Sequence, residues 1–206
     1  MGLADSRYFA VIDTETNYDD EVISIGTVIG DAATFSLLDR QYLIIDPECR
    51  KPAMFRNELF VSRAKADAIT DRKTALDAVQ KLLKSYGVTE IFAYNATFDC
   101  GHLPEFSGYS WYDIMRLAAY KQYNRSIPET APLCRTGKLR CGYGAEAIYR
   151  MLSQSPRYFE IHNALTDAED ELEIMRMLGQ KLPVYDIAKI RPRTGCGCRR
   201  PGFLSE

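Results

Sequence analysis

A mixed α/β fold, a central sheet flanked by helices, is what the sequence predicts, and three observations predict it. Apolar runs of strand length stand at residues 7–12 and 90–95. Two β-branched, partly alternating runs at 21–30 and 33–46 read as a hairpin turning at Gly30-Asp31. Segments with apolar residues at helical spacing fall between and after these strands. Strands first, then a helix, a strand and further helices, is the order of an α/β or mixed-sheet domain.

Each element has a local reason. Residues 47–60 are irregular, because Pro47 and Pro52 break any continuous ladder. In 74–87, apolar residues at 76, 79, 82 and 83 make one helical face, ended by Gly87. The strand 90–95 is followed by a helix from Phe98 and by another over 112–123. Pro128, Pro132 and Gly137 mark 124–141 as a long exposed loop, and 143–154 is helical again. In the last helix Thr166 and Glu169 match a capping box, with Leu165, Ala168, Leu172, Met175 and Leu178 as the apolar stripe.

The bulk numbers bound the function. At 206 residues the chain is long enough for one domain with a sizeable core, read as 1–182, with a basic, Cys-containing tail over 183–206. A formal net charge of −2 gives no global attraction to nucleic acid. Charge is uneven, however: five basic residues and no acid lie between Lys189 and Arg200, against DAEDELE at 167–173. No run is long enough to cross a bilayer, so no membrane role is expected. The start MGLADS lacks a signal-peptide pattern and fits the loose myristoylation pattern, which is short and common. Six cysteines without a leader point to reduced thiols and a cytoplasmic setting.

The first strand poses the chemical question, because YFAVI runs straight into DTET. Side chains alternate along a strand, so Asp13 and Glu15 share a face and repel unless a cation lies between them. A solvated strand end is the plain alternative. Asp99 stands just beyond the second apolar strand, and HNALTD places His162 five residues before Asp167. On one regular helix that interval is about 140° of rotation, so His162 belongs in the loop and Asp167 in the first turn. If the four element ends converge, their acids require bound cations, and oxygen donors favour Mg²⁺ or Mn²⁺. Two such ions about 3.5–4 Å apart form the clamp used for displacement at phosphorus. His162 is then placed to take a proton near neutral pH.

These residues resemble the motifs of the DEDDh 3′–5′ exonucleases, the proofreading-type branch of the ribonuclease H-like fold. VIDTET resembles that family's D-x-E-T strand end, FAYNATFD its A-x-N-x-x-F-D, and HNALTDAEDE its H-x-A-x-x-D-A. The motifs come in order, with 86 residues from Asp13 to Asp99 and 68 from Asp99 to Asp167. The resemblance implies a metal-dependent exonuclease releasing nucleoside 5′-monophosphates from the 3′ end of a single strand. Asp13, Glu15, Asp99 and Asp167 would hold two divalent ions, and His162 would be the general base. Thr14, Thr16, Asn95, Phe98 and Ile69 would lie against the terminal nucleotides, Phe98 by stacking or else as a core aromatic. The sequence departs from the family at Tyr94, where many members have histidine, and at DAIT (67–70), where many have an H-G-I-T-like segment.

DNA is slightly favoured as substrate; an exoribonuclease of oligoribonuclease or ribonuclease T type, or a binding subunit without turnover, is the alternative. A homodimer or a place in a polymerase or repair assembly are the partner states considered. Cys134, Cys141, Cys196 and Cys198 could in principle hold zinc, but C-x-C and C-x6-C are not the usual ligand knuckles, which argues for unlinked thiols.

Overall fold

The structure, a computed structural model, describes residues 3–61 and 64–190. Its centre is a six-stranded sheet of β1 (Tyr8–Thr16), β2 (Val22–Asp31), β3 (Leu37–Ile45), β4 (Ala68–Thr70), β5 (Glu90–Ala93) and β6 (Ser110–Asp113). Their order across the sheet is β4-β3-β2-β1-β5-β6. β1, β2 and β3 form an antiparallel meander, while β4 joins β3, β5 joins β1 and β6 joins β5 in parallel. This is the mixed sheet expected, with β1 and β2 at its centre and β5 beside β1, one strand in from the edge.

Among the described residues, five α-helices surround it: α1 (Arg72–Ser85), α2 (Thr97–His102), α3 (Met115–Ala118), α4 (Ala145–Ser153) and α5 (Ala164–Leu178). Strand alternation sorts the core into two layers. Phe9 and Val11 of β1 face α5 through Ala168, Leu172 and Met175. Ala10 and Ile12 face α1 through Ala75, Val79 and Leu83, with Trp111 beside them. By the same parity Asp13 and Glu15 continue the α5 face.

Several local expectations shift. The first hairpin turns over residues 32–36 rather than at Gly30-Asp31. The Asp31 carboxylate accepts from the Ala33 and Thr34 backbone N–H groups and from the Thr34 hydroxyl, all within 3.0 Å, and closes the turn. The helix expected over 112–123 is instead β6 followed by the single-turn α3. Trp111 and Tyr112 are buried sheet residues there, and β-sheet burial overrides a helical apolar spacing. The Asp113 carboxylate accepts from the Asn95 N–H at 3.0 Å and the Met115 N–H at 3.1 Å, so it ends the strand and starts the helix.

The loop 124–141 is not wholly exposed: Asn124, Ile127 and Leu139 are buried, and Asn124 Nδ2 donates to the Ala118 carbonyl at 2.8 Å. At the C-terminal side, the 3-10 helix Leu182–Ala188 packs on the core with Tyr185 and Ala188 buried. The folded body thus continues to Ile190, past residue 182 where the sequence reading ends it. The rest of the tail, with Cys196 and Cys198, and the Gly2 of the myristoylation pattern lie outside the described residues. No helix among the described residues is long and apolar enough to cross a membrane.

Candidate active site

β1 runs as a paired strand through Asp13, Thr14 and Glu15, because β2 carries the ladder on: Asp13 pairs with Gly26 and Glu15 with Ser24. A register shift after Glu15 bends the strand end, a device that re-aims side chains next to sites. Asn17 then locks the exit, its Oδ1 accepting from the Asp19 and Glu21 N–H groups.

α5 is seated on this ladder by the absence of a side chain. A Cβ on Gly26 would stand 2.0 Å from the Ala164 carbonyl oxygen. Only glycine admits the first turn of α5 directly onto β2, beside Asp13. The helix cap is Asn163 rather than Thr166: its Oδ1 accepts from the Leu165 N–H at 3.2 Å and the Thr166 N–H at 3.4 Å. Its Nδ2 donates to the Tyr42 hydroxyl at 2.8 Å and the Glu58 carbonyl at 2.7 Å. Thr166 lies inside the helix and Glu169 pairs with Arg40 at 2.6 Å. The capping-box pattern fails because the stronger cap, anchored from both sides, lies three residues earlier.

Beside that cap, His162 has a left-handed backbone, φ 59°, and its ring stacks on Phe55 at 3.9 Å between centroids. This leaves His162 in the loop and Asp167 in the helix, as the spacing predicts. One ligand atom from each of Glu15, His162 and Asp167 lies within 4.8 Å of the others.

Asp99 enters from α2, at the end of β5. Thr14 donates to its Oδ1 twice, from the backbone N–H at 3.0 Å and from the hydroxyl at 2.8 Å. Thr14 is therefore buried against Asp99 and not open to substrate, correcting the expectation for that residue. It points away from Asp13 and Glu15 because it occupies the alternate strand face.

Burial and mutual repulsion dominate the electrostatics. Burial drives the Asp13 carboxyl well above the usual range, with Asp99, Glu171, Asp167 and Glu15 pushing further. Burial, then Glu160 and Asp99, raise Glu15 to about 8. Asp99 rises to about 7 by burial, restrained by the Thr14 hydrogen bonds. Burial, then Glu160, Glu15 and Asp170, lift Asp167 to about 9. Asp13 Oδ2 is buried with no hydrogen-bond partner. A crowd of oxygen donors, too costly to ionise together and holding an orphaned oxygen, fits hard divalent cations.

The remaining expected residues lie around this cluster. Phe98 is 41% exposed, on the outer side of α2, so it is not a core aromatic. Asn95 is exposed with φ 61°, and Thr16 is half-buried at the strand end. A groove of about 720 Å³ passes Phe98, lined also by Asp20, Arg72, Thr97 and His102. Ile69 is exposed on the edge strand β4, in the cross-strand row Glu15–Ser24–Ile44–Ile69. That row puts it three strand spacings, roughly 14 Å, from Glu15. Sequence reasoning missed Glu160 and Glu171. Glu171 was legible as the residue one helical turn after Asp167; Glu160 lies in an irregular approach with no periodic signal. Cys134 and Cys141 are free and exposed.

No family model matches the sequence, and no curated protein matches it. Solved structures do. The nuclease domain of 3′hExo, a DEDDh family member bound to rAMP, superposes with a TM-score of 0.60 at 16% identity, covering 87% of this chain and 96% of that one. Exonuclease X in complex with 5′ overhanging duplex DNA gives 0.52 at 21% identity, covering 87% of this chain and 99% of the other. The fold is the exonuclease fold. E. coli exonuclease I, in complex with a dA16 oligonucleotide, gives 0.57 at 12% identity, with 87% of this chain matched to 43% of its own length. This chain therefore shares its fold with these exonucleases, and Asp13, Glu15 and Asp99 stand at the ends of the adjacent strands β1 and β5, with His162 and Asp167 at the start of α5.

Proposed function

We propose that the protein is a divalent-metal-dependent 3′–5′ exonuclease that removes nucleoside 5′-monophosphates from single-stranded DNA. One observation carries this reading: Glu15, His162 and Asp167 bring ligand atoms within 4.8 Å of one another, beside Asp13, whose buried Oδ2 has no partner and which feels the charges of Asp99 and Asp167. A binding subunit without turnover has no physical need for such costly repulsion. The fold supports the reading, since the similar structures are named as 3′-exonucleases or exonucleases.

Asp13, Glu15, Asp99 and Asp167 would hold Mg²⁺ or Mn²⁺. When bound, such ions offset the carboxylate repulsion and stabilise charge developing at the scissile phosphate. The chain's own part is positional. Thr14 fixes the Asp99 carboxylate through two hydrogen bonds. Asn163 anchors the loop that carries His162, and Phe55 holds the imidazole face-on. His162 takes the proton of the attacking water, whose oxygen forms the new bond to phosphorus. The bond from phosphorus to the departing strand's 3′ oxygen breaks, and that oxygen takes a proton from solvent, leaving the strand with a 3′-hydroxyl. Exposed Phe98 offers a ring for the terminal base, and Thr16 and Asn95 offer polar groups beside it. Ile69, farther along the row, would touch a base away from the cleaved bond.

RNA is the second reading, supported by similarity to a 3′-exonuclease recognising a histone mRNA stem-loop, with a TM-score of 0.57 at 15% identity. The test is a gel time course on 5′-labelled single-stranded DNA and RNA, with Mg²⁺, Mn²⁺ or EDTA, beside Asp13→Ala. A metal-dependent ladder shortening from the 3′ end, absent in the variant, is expected. No shortening of either strand with any metal refutes the reading, and the faster strand decides the substrate.

A further inference from the structure

α5 brings a second carboxylate over the site. Glu171 follows Asp167 by one helical turn, so both side chains leave the helix on one face. The helix starts over Gly26 of β2, and the Glu171 carboxyl lies near enough to the Tyr94 backbone, just past the end of β5, for that N–H to moderate its pKa. Between β2 and β5 in the sheet lies β1 alone. Glu171 therefore reaches across β1 at the end where Asp13 sits, on the same sheet face as Asp13.

Only 4% of Glu171 is exposed, and its Oε2 is buried with no hydrogen-bond partner. Asp13 Oδ2 is the other orphaned carboxylate oxygen of this cluster. A buried carboxylate oxygen without a partner is costly. Two such oxygens on one face, neither with a hydrogen-bond partner among the described residues, call for a single positive species.

We propose that Glu171 is a fifth cation-holding carboxylate, facing Asp13 and tightening the binding of the divalent ion at the buried end of the site. The proposal rests on the reading of the cluster as a metal site and adds a residue to it. Burial and the charges of Asp99, Asp167 and Glu160 hold the Glu171 carboxyl well above its ordinary range, as expected for an acid short of a counter-charge. Its extra negative charge favours an ion that gives up water readily over one that keeps its hydration shell. Mn²⁺ should therefore gain more than Mg²⁺.

The test is Mn²⁺ and Mg²⁺ titration of the full chain by calorimetry, comparing the parent with Glu171→Gln and with Glu173→Gln. Glutamine keeps the side chain's size and one acceptor oxygen, removes the charge and puts an NH2 donor where the second oxygen stood. Glu173 lies on the same helix, paired with Arg176 away from the site, and controls for the loss of one charge. Glu171→Gln should raise the Mn²⁺ Kd at least tenfold and the Mg²⁺ Kd by less, with a metal-free Tm equal to the parent's or higher. Glu173→Gln should stay within twofold. A Glu171→Gln affinity for Mn²⁺ equal to that of Glu173→Gln overturns the proposal and leaves the exonuclease reading standing. If the glutamine chain does not fold, Glu171→Asp withdraws the charge by one methylene and should still raise the Mn²⁺ Kd at least threefold; no change there overturns the proposal. A parent that binds neither ion overturns the proposal and the metal-site reading together.

Discussion

Replacing Gly26 by alanine tests how the site is held together. The added methyl would lie 2.0 Å from the Ala164 oxygen, 2.2 Å from its carbonyl carbon and 2.4 Å from the Leu165 nitrogen. All three are backbone atoms, so no side-chain rotation relieves the clash. Ordinary contact needs roughly 3.5 Å, so the first turn of α5 must lift by about 1–1.5 Å. Overpacking of this kind costs about 1–3 kcal/mol, which for a chain of this size lowers Tm by about 2–12 °C. The same lift carries Asp167 away from Asp13 and Glu15, and a displacement of about 1 Å costs on the order of 100-fold in rate. The informative comparison is Gly30→Ala, whose methyl meets the Phe9 ring at 2.6 Å, a side chain able to shift. Thermal melts and Mn²⁺ titrations of both variants are expected to separate them: both lose stability, and only Gly26→Ala loses cation affinity. A Gly26→Ala protein with the parent's Tm and affinity would show that α5 is not seated as described.

Three further predictions address the surrounding groups. Thr14→Val removes the hydroxyl donor to Asp99 but keeps the backbone donor; it should cost about 1.5–3 kcal/mol in cation binding measured calorimetrically, with the melting curve little changed. Asn163→Ala strips the α5 cap and the anchor of the His162 loop; kcat should fall more than KM rises, and stability should drop by about 1–2 kcal/mol. Asp99, Glu15 and Asp167 have folded values near 7, 8 and 9, above those of an unfolded chain. The folded state therefore holds their protons more tightly, and metal-free stability, full below about pH 4, is lost as pH rises toward 9. Melts in EDTA should give a higher Tm at pH 5.5 than at pH 9, with Mg²⁺ removing most of the difference; an EDTA Tm that climbs over this range contradicts the assignment.

Much of this was legible because the relevant signals are local. An apolar run ending in alternating acids places Asp13 and Glu15 whatever the partner strands do. The five-residue interval separates His162 from the helix that carries Asp167, and both positions hold. Failures came where tertiary burial outweighs local pattern. The segment 112–123 has apolar residues at helical spacing, yet pairing with β5 makes its start a strand. Thr14 is expected against the terminal nucleotide, but the strand's alternate face turns it toward Asp99. The Asn163 cap depends on Tyr42 and the Glu58 carbonyl, residues more than 100 positions away. Such contacts leave no trace in a short window.

The sheet order also dictates when the charges meet. The β1–β2–β3 meander is encoded by residues 8–45, so a meander that forms during synthesis would hold Asp13 and Glu15 at an end still open to water. Asp99 follows with α2, and Asp167 and Glu171 arrive only with α5. The repulsion among these acids is therefore deferred until the last helix settles onto Gly26. That settling step is expected to be the one a divalent ion accelerates, which would make the ion a folding partner as well as a participant in the proposed reaction.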